Sequence, residues 1–144
     1  MPRVTLRNTF HVRNSPAALR AHLSQPQSYV GLSPLVIAVR DIEQGENETR
    51  YVSVERFRFF GVVKYDNLIK VTLRSTDEAV EGEVTSPGGV RLDYRFRLTG
   101  RDGGTEVEDT LVVRAWARPL LTFAARKARE VQLARAEVLA SRLG

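Results

Sequence analysis

Residues 88–100 alternate between apolar and charged side chains with a period of two. One parity holds the apolar residues Val90, Leu92, Tyr94, Phe96 and Leu98. The other parity holds the charged residues Arg91, Asp93, Arg95 and Arg97. This period predicts a β-strand with one dry face and one wet face. Few other stretches look helical, which raises the question of what covers the dry face.

Six more stretches have strand patterns, and tight turns separate several of them. They cover residues 3–13, 35–44, 49–65, 68–75, 78–86 and 105–116. Gly61 indicates a bulge or bend within the third strand, and the pair Asp66-Asn67 indicates a turn after it. Because short connections join neighbouring strands in antiparallel fashion, the sequence predicts a seven-stranded antiparallel sheet.

Three stretches carry helix signals. Ser15 followed by Pro16 is a favourable start for a short helix over 16–23, and a similar signal predicts a second short helix over about 26–32. Residues 119–143 are rich in Ala, Leu, Arg and Glu, with apolar residues at helical spacing. This composition and spacing predict one long helix at the end of the chain.

The long helix is the main cover available for the dry face of the sheet. Its first half carries the small side chains Ala124, Ala125 and Ala128, which leave space against a wide sheet. Protein interiors are closely packed, and a large empty void is costly. The space is therefore either filled by other side chains or used as a ligand cavity.

The order of these elements resembles the helix-grip superfamily (SRPBCC), which includes START lipid-transfer domains, pollen-allergen-type carriers and polyketide cyclase/dehydrase-like proteins. The resemblance rests on "NSPAALRAHLSQPQSY" after the first strand, "GGTEVEDTLVV" at the last strand, and the long terminal helix. It implies an α+β fold with a curved seven-stranded antiparallel sheet around the C-terminal helix, and residues 1–144 as a single domain. It also implies a deep apolar cavity, but no shared catalytic residues.

Composition adds few constraints. The 144 residues carry a net charge of +5, but the positive residues are spread over the wet faces of the strands, so no nucleic-acid partner is expected. The absence of cysteine, of a signal-peptide core and of a bilayer-spanning stretch favours a cytoplasmic protein without integral membrane association. No cofactor or metal is expected, and the protein is expected to be a monomer or a homodimer.

Two carboxylates are the candidate catalytic residues. Asp109 shares a parity with apolar residues, where an unpaired charge is costly, so it is expected to bind a ligand, to move protons or to anchor the structure. Asp109→Leu is expected to leave the protein folded, with equal or higher stability, because relief of a buried charge offsets the lost contacts. Glu55 points inward if Tyr51 and Phe57 do, and it could then pair with Asp109 or an arginine. A bulge would reverse the parity and put Arg56 in the pocket.

The candidate ligand-binding residues are aromatic, apolar or small side chains on the faces that meet the predicted cavity. They are Tyr51, Phe57, Tyr65, Leu92, Tyr94, Phe96, Leu111, Trp116, Ala124 and Ala128. Tyr65, Tyr94 and Trp116 suit a ligand that contains a ring, although core packing is the more frequent role of such residues. Tyr29 lies at the cavity mouth or anchors the second short helix on the sheet.

Three functions fit these observations. The first is binding of a hydrophobic small molecule, such as a lipid, polyketide or other ring compound. The second is a cyclase/dehydratase-like enzyme, in which Asp109, Glu55 or a tyrosine moves protons. The third is a basic interaction module whose binding depends strongly on salt. It would use the helix face that carries Arg118, Arg126, Lys127, Arg129 and Arg135.

Overall fold

The computed structural model describes residues 1–59, 63–86 and 88–144. The strands are β1 (Arg3–Val12), β2 (Val36–Gln44), β3 (Thr49–Phe59), β4 (Val63–Ser75), β5 (Ala79–Ser86), β6 (Val90–Arg101) and β7 (Gly104–Arg114). The helices are α1 (Pro16–Leu23), a short 3-10 helix (Pro26–Tyr29) and α2 (Arg118–Leu143). Within these described ranges, no helix is long and apolar enough to cross a membrane.

The seven strands form one antiparallel sheet in the order β1-β7-β6-β5-β4-β3-β2. Strands β2 to β7 pair with their neighbours in sequence, and β1 pairs with β7 from Arg3 opposite Arg114 to Val12 opposite Thr105. Helix α2 packs on β1, β6 and β7, while α1 packs on β5 and β6. The predicted α+β architecture, with one long C-terminal helix on a seven-stranded antiparallel sheet, is confirmed.

The two short helices differ in how closely they follow the sequence prediction. The Ser15 Oγ accepts a hydrogen bond from the Ala18 N–H at 3.1 Å, so α1 starts where its capping residue predicts. The second helix is shorter than predicted and ends at Tyr29. Its end is set by Val30, whose backbone is already extended at φ −67° and ψ 117°.

Strand β4 begins earlier in the sequence than predicted, at Val63. Strand β4 begins before Asp66 and Asn67, so this pair lies within a strand and not in a turn. Cross-strand partners hold both residues there: Arg56 donates to Asp66 at 2.7 and 3.0 Å, and the Asn67 amide donates to Ser86 Oγ at 3.0 Å. The bulge predicted at Gly61 lies outside the described residues.

The dry face of β6 is covered from the interior side. Phe96 is fully buried, and Tyr94 and Leu98 are 6% and 7% exposed. Both α1 and α2 contact this strand, and the arginines between the apolar residues are exposed. Val90 and Leu92, at the start of β6, are only partly buried. The end of this face that carries Phe96 and Leu98 is therefore part of the core, whereas the end that carries Val90 and Leu92 is only partly covered.

Gly82 on β5 lies opposite Tyr94 on β6 and makes room for its ring. A Cβ at residue 82 would lie 2.2 Å from that ring, which packs against Tyr29 and Phe96. We therefore expect Gly82→Ala to lower the free energy of unfolding by about 1–3 kcal/mol, measured by chemical denaturation. Gly100→Ala is the control, because a Cβ there meets its nearest neighbour at 3.6 Å. Equal stability of the two variants would contradict the close approach.

Candidate functional site

A cavity of about 310 Å³ lies between the sheet and the first half of α2. Its volume is at the lower end of the range found for small-molecule sites. Ile69, Val71 and Leu92 line it on the sheet side, and Ala124 and Ala128 line it on the helix side. The two alanine side chains are too short to fill the space between helix and sheet. Most of the residues that line the cavity are apolar.

Three tyrosines form the buried end of the cavity. The Tyr29 hydroxyl donates a hydrogen bond to the Leu23 carbonyl at 2.6 Å. The Tyr94 hydroxyl lies beside those of Tyr29 and Tyr51, and the three hydroxyls interact in one buried cluster. Burial raises the pKa of all three phenols. All three therefore keep their protons at neutral pH.

Arg135 on α2 and Asp109 on β7 form a buried ion pair next to the tyrosines. Asp109 is completely buried, and Arg135 is 6% exposed. The Arg135 Nε donates to Asp109 Oδ2 at 2.7 Å, and its Nη2 donates to Oδ1. The guanidinium carbon also lies 4.4 Å from the ring centroid of Phe96 and 5.2 Å from that of Tyr94. Burial acts to lower the pKa of Arg135, but the Asp109 carboxylate outweighs it and raises that pKa, so the arginine stays charged.

Gln132, one helical turn before Arg135, ties α2 to two strands. It is completely buried. Its Nε2 donates to the backbone carbonyls of Leu6 on β1, at 3.1 Å, and Asp109 on β7, at 3.0 Å. Its Oε1 accepts a hydrogen bond from Arg129 at 2.6 Å. Because a satisfied buried polar network has one favourable arrangement, these bonds fix the position of the helix over β1 and β7.

Glu55 supplies a carboxyl group to the cavity wall. It is partly buried and has no ion-pair or hydrogen-bond partner for its side chain among the described residues. Burial raises the pKa of this carboxyl. Lys127 lines the same cavity but forms an ion pair with Glu130 at 3.5 Å. In the described ranges, no group of three or more His, Cys, Asp or Glu side chains is arranged to hold a metal ion.

The structure brings most of the candidate site residues together. Eight of them line the cavity: Tyr51, Glu55, Phe57, Leu92, Tyr94, Leu111, Ala124 and Ala128. Phe96 and Asp109 lie behind this lining. Phe96 packs edge-on against Tyr94, with ring centroids 5.6 Å apart, and Asp109 is enclosed by Arg135. Asp109 therefore lies behind Arg135, which lines the cavity, and does not pair with Glu55.

Two aromatic candidates lie outside the cavity, which corrects their predicted position. Tyr65 is 55% exposed and lies near the start of β4, at the end of the β3–β4 pair. Trp116 is 75% exposed and lies between the end of β7 and the start of α2. Strand parity no longer applies to Trp116 because the chain has already left the sheet.

Three arginines also differ from the sequence expectation. Arg56 does not enter the pocket, because its guanidinium pairs with Asp66 on the neighbouring strand. Arg135 is buried and is not part of a free basic face. Arg129 donates to the Arg7 carbonyl at 2.7 Å as well as to Gln132. The predicted basic helix face therefore loses two of its five residues, Arg129 and Arg135.

The polar anchors on α2 were missed by the sequence analysis, although a signal for them exists. The buried residues of the helix are Leu121, Ala128, Gln132, Arg135 and Leu139. Their spacing of seven, four, three and four residues places them along one helical face. A charged residue that is buried on this face needs a partner of opposite charge. This rule would have identified Arg135 as the partner of the inward-facing Asp109.

Comparison with proteins of known structure identifies the fold. Zhui aromatase/cyclase from Streptomyces sp. R1128 has a TM-score of 0.73 at 12% sequence identity, over 97% of this chain and 90% of that chain. A START superfamily protein from Mycobacterium smegmatis has a TM-score of 0.73 at 13% identity, over 96% of both chains. Ara h 8.0201 has a TM-score of 0.67 at 12% identity, over 97% and 99%. No family model and no curated protein matches the sequence. The chain has the helix-grip fold.

Because Arg135 is buried together with Asp109, changing either residue alone leaves an unpaired charge in the interior. We therefore expect Asp109→Leu and Asp109→Asn each to lower the free energy of unfolding by about 3–5 kcal/mol, which reverses the expectation from the sequence. The double variant Asp109→Leu/Arg135→Met should recover most of the loss, since both charges are removed. Denaturant unfolding of the single and double variants measures this coupling. Additive losses would show that the pair does not act as a unit.

Proposed function

We propose that the protein binds a hydrophobic small molecule, such as a lipid, polyketide or other ring compound, in the cavity between the sheet and α2. The observation that carries this proposal is the apolar cavity of about 310 Å³, whose lining includes the buried tyrosines Tyr29, Tyr51 and Tyr94. Binding sites for small molecules are typically apolar with a few placed polar groups. The cysteine-free sequence suits a reducing compartment, and we place the protein in the cytoplasm.

The polar groups at the buried end favour a ligand with an oxygen acceptor. Burial keeps the Tyr94 phenol protonated, and the Arg135 guanidinium lies over its ring. A carbonyl or hydroxyl oxygen of the ligand would accept a hydrogen bond from one of the three tyrosine hydroxyls, which is worth about 0.5–1.5 kcal/mol. The apolar remainder of the ligand would lie along Ile69, Val71 and Ala128.

The similarity to an aromatase/cyclase and to a START superfamily protein supports this ligand class. The name of the first protein, aromatase/cyclase, points to ring-forming chemistry. At 12% and 13% identity the shared feature is the fold. The identity of the ligand therefore has to come from this chain's own cavity and from experiment.

Blocking the cavity is the direct test. Native mass spectrometry of the purified protein should show a bound apolar molecule, and the dye 1-anilinonaphthalene-8-sulfonate should compete with it. Ala124→Phe places a ring in the cavity, so we expect it to weaken dye binding by about tenfold or more, a change of ~1.4 kcal/mol. Thr122→Phe is the control, since this exposed residue of α2 does not line the cavity. Unchanged binding in Ala124→Phe would show that the dye binds elsewhere.

A second candidate function is a cyclase/dehydratase-like enzyme in which Glu55 moves a proton. The observation that favours it is the position of this carboxyl on the cavity wall, without a partner for its side chain among the described residues. Burial raises its pKa, which brings it closer to the range where a carboxyl group serves as a general acid. Asp109 is a weaker candidate for this role, because it is enclosed by Arg135.

Glu55→Gln tests this role. An exposed glutamate ionises near pH ~4.3. Because the folded protein holds the proton more tightly, it binds more protons than the unfolded chain above that pH, and its stability falls as pH rises through the raised pKa. Glu55→Gln removes this loss, so the variant should be more stable than the parent at neutral pH and equal to it below pH ~4. Thermal unfolding across this range measures the difference, with the exposed Glu108→Gln as control. An enzyme would also lose turnover in Glu55→Gln while it retains ligand affinity, and a carrier would show no turnover at all.

A further inference from the structure

The start of α2 exposes several large apolar side chains at the rim of the cavity. Trp116 is 75% exposed, Phe123 is 43% exposed and Leu120 is 36% exposed. Leu120 and Phe123 lie three residues apart, on one side of the helix, and both also line the cavity. Clustered exposed apolar side chains mark interaction sites, whereas single ones need no explanation. The start of α2 is therefore a candidate interaction surface.

The same segment is strongly basic. Residues 114–129 contain four arginines and one lysine but no aspartate or glutamate. The ion pairs formed in this segment use Arg114 and Lys127, and they leave Arg118 and Arg126 without an acidic partner among the described residues. The Arg126 guanidinium lies 5.9 Å from the ring centroid of Phe123. Positive charge and apolar surface are thus interleaved at one place.

The opening of the cavity and this segment lie at the same end of the sheet. Strand β7 ends at Arg114, which pairs with Arg91 at the start of β6. The neighbouring residues Val90 and Leu92 line the cavity. Trp116 follows β7 at this end, and Leu120 and Phe123 form part of the cavity wall there. The exposed part of the cavity wall at Leu120 and Phe123 is therefore next in sequence to Trp116, Arg118 and Arg126.

We propose that this mouth patch, formed by Trp116, Arg118, Leu120, Phe123 and Arg126, docks the protein on the surface of an anionic lipid bilayer. Tryptophan is favoured at the boundary between acyl chains and headgroups, and an apolar helix face flanked by basic residues binds in the plane of that boundary. The unpaired arginines match the negative charge of the lipid headgroups. Docking would place the cavity opening against the lipid.

A second copy of this chain fits the patch less well than a lipid surface does. A symmetric dimer through the mouth patch would bring Arg118 and Arg126 of one protomer close to the same arginines of the other. Such an interface places like charges together, which is unfavourable. The docking proposal depends only on the residues of the mouth patch. The exchange of a ligand between the cavity and the bilayer depends in addition on the function proposed above.

The test uses Trp116, which is the only tryptophan in the sequence. Vesicles of equimolar phosphatidylglycerol and phosphatidylcholine should shift its fluorescence emission to shorter wavelength, because the exposed indole leaves water. Vesicles of phosphatidylcholine alone should give little or no shift, and about 0.5 M salt should reverse the shift on the anionic vesicles. No shift on anionic vesicles, or the same shift on both kinds, would overturn the proposal.

Variants distinguish binding through the mouth patch from a general attraction between a basic protein and anionic lipid. Arg118→Ala and Arg126→Ala should each weaken binding to the anionic vesicles by about fivefold, measured by co-sedimentation. Arg97→Ala, which removes an exposed arginine on the outer face of β6, should have no effect. Trp116→Ala should also weaken binding, with Leu133→Ala on α2 as the exposed apolar control. Equal affinity of the patch and control variants would refute docking through this surface.

Two further measurements separate the outcomes. A fluorescence shift that appears with rising protein concentration in the absence of lipid would show self-association and would overturn the proposal. A shift with duplex DNA but not with vesicles would also overturn the proposal.

Ala124→Phe should still dock on vesicles, because it blocks the cavity and leaves the patch in place. If the parent binds the dye but not vesicles, docking alone fails. If it docks but shows no cavity binding, the ligand proposal alone fails.

Discussion

The buried ion pair between Asp109 and Arg135 is the interaction on which the rest of the structure depends. It joins β7 to α2 where the helix crosses the sheet, and Gln132 adds hydrogen bonds to β1 and β7 one turn earlier. Removing either charge leaves the other without solvent or partner, so the pair imposes one position on the helix. The cavity exists because α2 is held at this position while the alanines before it are too small to reach the sheet.

Tyr94 connects this anchor to the cavity. Its ring is seated over Gly82, packs against Phe96 and lies beneath the Arg135 guanidinium, so its position is fixed from three sides. Its hydroxyl lies at the cavity wall beside those of Tyr29 and Tyr51. The same arginine that holds the helix therefore also contacts a ring of the cavity wall. A change in the ion pair would alter the surroundings of Tyr94.

The fold could be predicted from the sequence because its signals are local. Strand alternation, the Ser15 cap and the composition of residues 119–143 fix most elements. The turn expected at Asp66-Asn67 failed because a cross-strand partner outside the local window, Arg56, holds Asp66 in an extended strand. The inward position of Asp109 followed from parity. Its partner Arg135 did not, because the contact joins residues 26 positions apart and depends on how the helix lies on the sheet.

Helix α2 divides into two parts with different attachments. Its second half is held by polar bonds: Gln132 and Arg135 bind the sheet, and Arg142 donates to the carbonyls of Ser28 and Val30. In the described part of the chain, no hydrogen bond joins residues 118–128 to the sheet, and this half borders the cavity and its opening. Local opening has the lowest cost where buried contacts are few. The first half of α2 is therefore the part of the helix that can move at the lowest cost, while the ion pair keeps the second half and Tyr94 in place.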